Sequence, residues 1–103
     1  MDFVTDPNDP RLNKPDKEGM NEVYLVISEE ERKKGFVRPV RTSYTHVRCG
    51  NTTSMGLPLA ETYARDPRFY NATYCAACKS HFALVIDGEP QFVWSKDGQP
   101  VGS

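Results

Sequence analysis

His46-Val47-Arg48-Cys49-Gly50 and Cys75-Ala76-Ala77-Cys78, separated by residues 51–74, are the two stretches on which the reading of this chain turns. In Cys75-Ala76-Ala77-Cys78 two thiolates share one tight turn, so both reach a single cation at about 2.3 Å. That supplies half a metal site. His46-Val47-Arg48-Cys49 repeats the spacing with an imidazole in the first position, and Gly50 permits the sharp backbone turn that must follow. The total pattern, His-x2-Cys-x25-Cys-x2-Cys, uses every cysteine of the chain. Three thiolates and one imidazole form a soft tetrahedral set, which favours Zn²⁺. Because all four ligands are protein groups, no coordination position is left for water or substrate. The expectation is therefore one structural Zn²⁺ and no enzyme.

Two alternatives belong beside this reading. Cys75 and Cys78 could form a redox pair with Cys49 as a buried apolar residue, but such a pair opens a helix within a βαβ unit, and here a hairpin follows. The fourth ligand is also open, because His81 stands three residues past Cys78. Ligands at 75, 78 and 81 would crowd one hemisphere of the metal. His46 closes the opposite hemisphere with better angles and is preferred, with His81 as the alternative fourth ligand or a hydrogen-bond partner of a ligand sulfur.

At 103 residues and 38% hydrophobic content, the chain can build one modest core, of a size that often needs a staple. Three cysteines cannot all pair within one chain, and the N-terminus lacks the charged start and apolar run of a signal peptide. A reducing compartment is expected, the host cytoplasm or a virion, without secretion through a signal peptide. The Asn-x-Thr sequons at Asn51 and Asn71 then read as chance. No apolar run nears the roughly 20 residues that span a bilayer, so no membrane role is expected.

The net charge of −1 hides an asymmetry: residues 1–31 carry nine acids against three bases, whereas residues 32–48 carry six bases and no acid. Those bases are Arg32, Lys33, Lys34, Arg38, Arg41 and Arg48, and six such charges could contact phosphate in a salt-dependent way. The competing account is a solvated face that neutralises the acidic segment. Residues 1–20, proline-spaced and without an apolar period, read as an extended arm that cannot repay its ordering entropy alone. Residues 21–103 read as the zinc-binding domain.

Within that domain, Val23 to Ile27 form a β-branched and aromatic run of strand length. Ser28 with Glu31 forms a capping box, acids fill the first turn, bases the last, and Gly35 sits in a C-cap position, which predicts a helix over 28–34. The apolar residues from Phe36 to Val47 with Pro39 among them predict an edge or extended segment. Leu57 to Arg65 has helical spacing and stops before Pro67. Residues 82–86 and 90–94 flank Asp87-Gly88, a strong hairpin signal that would place Trp94 opposite Phe82 to Leu84. The fold class is small α+β: two knuckle-like turns, a C-terminal β-hairpin and two short helices behind the arm. Tyr63, Phe69, Tyr70, Tyr74, Phe82, Phe92 and Trp94 read mostly as core.

The two turns, each knuckle-like and the second leading into a hairpin, resemble a zinc-ribbon or treble-clef module with one cysteine replaced by histidine. The run Ala60-Glu61-Thr62-Tyr63-Ala64-Arg65-Asp66-Pro67, then Phe69-Tyr70, Thr73-Tyr74-Cys75 and Cys78 to Phe82, is similar to small, mostly uncharacterised bacteriophage-encoded proteins. That resemblance implies a phage or prophage origin and no particular activity. The expected function is a non-enzymatic zinc-stabilised binding or structural module, in its most concrete form a virion component that meets other proteins in a larger assembly. The alternative is a small nucleic-acid-binding regulator using residues 32–48. Neither reading calls for a small-molecule substrate.

Overall fold

Strands of two to four residues joined by tight turns carry most of the order in residues 2–12, 14–17 and 19–102, which the computed structural model describes. In chain order they are β1 (Asp2–Val4), β2 (Val23–Leu25), helix α1 (Glu29–Arg32), β3 (Ser43–His46) and β4 (Thr52–Ser54). Helix α2 (Leu57–Arg65), β5 (Ala72–Cys75), β6 (Ser80–Ala83), β7 (Val85–Ile86), β8 (Glu89–Pro90) and β9 (Phe92–Trp94) follow. The described residues thus form a small α+β structure. Its strands make the pairs β1–β2, β5–β6 and β7–β8 and one three-stranded sheet ordered β4-β3-β9.

The helices follow their caps. Ser28 Oγ accepts from the Glu31 N–H at 3.2 Å, three glutamates occupy the first turn, and the chain leaves α1 through Gly35 at φ +117°. The regular part is shorter than the expected 28–34, because Lys33 and Lys34 already belong to the closing turn. Helix α2 begins with Pro58 in its first turn and ends at Asp66, just before Pro67. It buries Ala60, Thr62, Tyr63 and Ala64, and Ala60 and Tyr63 join the core that Tyr44, Phe92 and Trp94 share.

Two pairings differ from expectation. The Pro39-containing segment was expected at an edge, yet Ser43–His46 is the central strand of its sheet. Pro39 lies four residues upstream of the strand, so its missing N–H costs no ladder bond. Asp87 (φ +51°) and Gly88 (φ +80°) do make a tight turn, but it closes only the two-residue pair β7–β8. The chain bends at Leu84, which is buried, bonds Asn71 and Gln91 through its backbone, and separates β6 from β7. Strand β6 then pairs back with β5, and β9 departs to pair with β3. Trp94 consequently stands opposite Tyr44 rather than Phe82 to Leu84.

Around that register the core assembles. Tyr44 meets the Phe92 and Trp94 rings edge-on at 5.6 and 6.2 Å, and Tyr63 meets Trp94 at 5.4 Å. Arg41, buried despite its charge, lies 4.7 Å over the Trp94 ring and pairs with Asp97 at 3.0 Å. Of the segment read as an arm, residues 2–4 run parallel to β2 and Pro15 bridges to Asn21. Met1, Asn13, Glu18 and Ser103 lie outside the described residues. Among the described residues no helix is long and apolar enough to cross a membrane.

Candidate metal centre

His46 is the last residue of β3, and the turn after it returns the chain into β4 within five residues. The Gly50 N–H donates to the His46 carbonyl at 2.7 Å, and the His46 N–H donates to the Asn51 carbonyl at 3.0 Å. Gly50 sits at φ +73°, where a side chain would be strained, so the turn that carries Cys49 is tight. Cys75 plays the matching part at the end of β5, where it pairs with Ser80, and the turn 76–79 carries Cys78. Lys79 closes that turn at φ +55°. Thr53 Oγ1 on β4 accepts from the Ala76 N–H at 3.1 Å, which docks one turn on the other.

The consequence is a single cluster. One donor atom each from His46, Cys49, Cys75 and Cys78 all lie within 4.8 Å of one another, an arrangement that could hold a metal ion. Cys49 Sγ is 3.6 Å from Cys75 Sγ, and Cys78 Sγ is 3.7 Å from His46 Nδ1. Bonds of about 2.3 Å to sulfur and about 2.0 Å to nitrogen at tetrahedral angles give S···S edges of about 3.8 Å and S···N edges of about 3.5 Å. The two measured edges match those lengths and link opposite turns. His46 and Cys75 are buried, Cys49 is half-buried and Cys78 is exposed, so the site lies at the rim of the core.

The thiols carry the electrostatic signature of crowded ligands. The Asn51 backbone N–H, above all, pulls Cys49 down to about 6, whereas the hydrogen bond to Cys75, followed by burial, pushes Cys78 up to about 11. Charge on the neighbouring Cys75 and Cys49 sulfurs repels charge on Cys78. A cation among them removes that repulsion.

The imidazole is held by aromatic rings, Phe82 and Phe92, that the sequence reads mostly as core. His46 is stacked between Phe82 and Phe92, each ring centroid 4.7 Å away, with interplanar angles of 28° and 21°. Phe92 is its register partner on β9. Finding this pair requires knowing that β9 joins β3, and no local sequence signal gives that.

His81 is not one of the four clustered donors. It sits opposite Tyr74 on β6, and its Nε2 is 2.9 Å from the Tyr24 hydroxyl. Burial pushes its pKa below the ordinary 6.5. The six bases of residues 32–48 are largely engaged within the chain. Arg32 pairs with Glu61 (3.0 Å), Lys33 with Glu29 (3.2 Å), Lys34 with Glu31 (2.8 Å) and Arg41 with Asp97. Arg38 donates to the Val37 carbonyl, and Arg48 is exposed on the His46–Cys49 turn. They do not form one unpaired cationic face.

No protein-family model, curated protein or solved structure matches the chain. The likeness to phage-encoded proteins drawn from the sequence therefore has no counterpart in these comparisons.

Proposed function

We propose that this chain is a non-enzymatic binding or structural module, in which Zn²⁺ held by His46, Cys49, Cys75 and Cys78 fixes the fold and the surface meets a partner macromolecule. The observation that carries it is the donor cluster, four ligand atoms within 4.8 Å of one another, two of whose edges have the lengths of a small tetrahedral ion's site. A closed set of four protein donors makes the metal a cross-link between two turns rather than a reaction centre. A place in a larger assembly, such as a phage particle, is the form suggested by the sequence resemblance. The internal ion pairs of Arg32, Lys33, Lys34 and Arg41 weigh against the nucleic-acid reading.

Fluorescence anisotropy with duplex and single-stranded DNA at two salt concentrations separates the two functions. The module reading expects no salt-sensitive binding at micromolar protein. Affinity that falls steeply with salt would install the nucleic-acid-binding regulator in its place.

A further inference from the structure

The N-terminal segment rests on the same turn that presents Cys75 and Cys78. Gly19, at φ +77°, approaches so closely that a Cβ built on it would lie 1.9 Å from the Lys79 carbonyl oxygen. Lys79 directly follows Cys78 and is itself held at φ +55°. Two residues further on, His81 Nε2 meets the Tyr24 hydroxyl at 2.9 Å, and that hydroxyl oxygen accepts from the Asn21 N–H at 3.1 Å. The Tyr24 hydroxyl retains its proton to donate, and His81 Nε2 accepts it when the neutral ring carries its proton on Nδ1.

The segment that makes these contacts is itself folded. The Asp16 N–H donates to the Met20 carbonyl at 2.8 Å, Gly19 N–H to the Asp16 carbonyl at 3.1 Å, and Glu22 N–H to the Lys14 carbonyl at 3.1 Å. Pro15, Gly19 and Asn21 on one side and Lys79, Ser80 and His81 on the other line a groove of about 830 Å³.

A non-glycine residue in the left-handed region persists only where its surroundings over-determine it. At Lys79 two constraints meet: the ligand Cys78 on the metal side, and Gly19 on the outer side. Both favour the same turn geometry, and two events that favour one geometry strengthen each other by the same factor. Resting on the metal reading above, we propose that residues 14–17 and 19–21 brace the Cys75–Cys78 turn from outside, so that docking of this segment and metal binding are cooperative. A partner macromolecule that draws the segment off its seat then loosens the metal, and loss of the metal frees the segment. This assigns His81 to the brace instead of the coordination sphere.

The test uses the full chain, Co²⁺ as a spectroscopic probe and Zn²⁺ by competition. Gly19→Ala places a methyl group against the Lys79 carbonyl and changes nothing at the four donors. It should lower metal affinity about 5- to 150-fold, the usual range of coupling between sites. The tetrahedral Co²⁺ spectrum should be kept while amide exchange of Asp16, Gly19 and Asn21 accelerates. Gly88→Ala is the control, since Gly88 has φ +80° but nothing within 4 Å of an added Cβ. It should bind metal as the wild type does. If Gly19→Ala does not fold, Tyr24→Phe, which removes only the hydroxyl, should show a smaller loss of the same kind. Wild-type affinity in both Gly19→Ala and Tyr24→Phe overturns the brace. A wild-type chain that binds no Co²⁺ overturns the metal reading instead, and that titration comes before any variant.

Discussion

His46 Nδ1 stands 3.7 Å from Cys78 Sγ across thirty-two positions of sequence, while His81, three residues from Cys78, is bonded to Tyr24. The two histidines therefore make opposite predictions. His46→Ala should lower metal affinity by more than the about 10- to 100-fold typical of an outer partner, whereas His81→Ala should stay within that range. Competition against a chromophoric chelator measures both. Loss of metal in His81→Ala with retention in His46→Ala would mean a Cys75, Cys78, His81 cluster closed by Cys49.

The rings around His46 give a second prediction. Phe82→Ala should keep one metal per chain but shift the Co²⁺ d–d bands and weaken binding about 10- to 100-fold, because the imidazole loses one wall of its clamp. Phe92→Ala, at a fully buried position, should cost about 3–5 kcal/mol and threaten the fold itself. Urea titration of the metal-loaded variants distinguishes the two. Unchanged Co²⁺ bands and affinity in Phe82→Ala would reduce that ring to packing.

Protonation of His81 supplies a third. Its pKa is depressed by burial from 6.5, so the folded state prefers the neutral ring that faces the Tyr24 hydroxyl. The associated stability is fully present above about pH 6.5, the unfolded value, and is lost as pH falls from there through the folded value. NMR titration should find His81 below 6.5 in the wild type, with exchange of the Asn21 amide rising as the ring charges. A His81 pKa above 6.5 would contradict the contact.

How much of this was legible in the sequence depended on range. The matched spacing of His46–Cys49 and Cys75–Cys78 is local chemistry, and so are the Ser28 cap and the stop of α2 before Pro67; all are visible as residues. The partner of β9 was not, because Asp87-Gly88 announces a turn but does not say how many residues the turn will zip together. Tertiary packing of Trp94 and Phe92 against Tyr44 and His46 decided that pairing. Charge suffered similarly: a run of bases reads as a cationic stretch until the carboxylates of Glu61 and Asp97 are brought to it from distant segments.

The central claim is that a metal in the four-donor cluster holds this fold together. A structural Zn²⁺ is worth about 10 to 16 kcal/mol in small zinc-binding peptides, as much as the about 5 to 15 kcal/mol net stability of a typical domain. The direct measurement is elemental analysis of the purified chain, with circular dichroism before and after chelation. The account predicts about one zinc per chain and loss of folded structure when it is removed. A chain that contains no metal, stays folded, and presents Cys49, Cys75 and Cys78 as freely titrating thiols would contradict it.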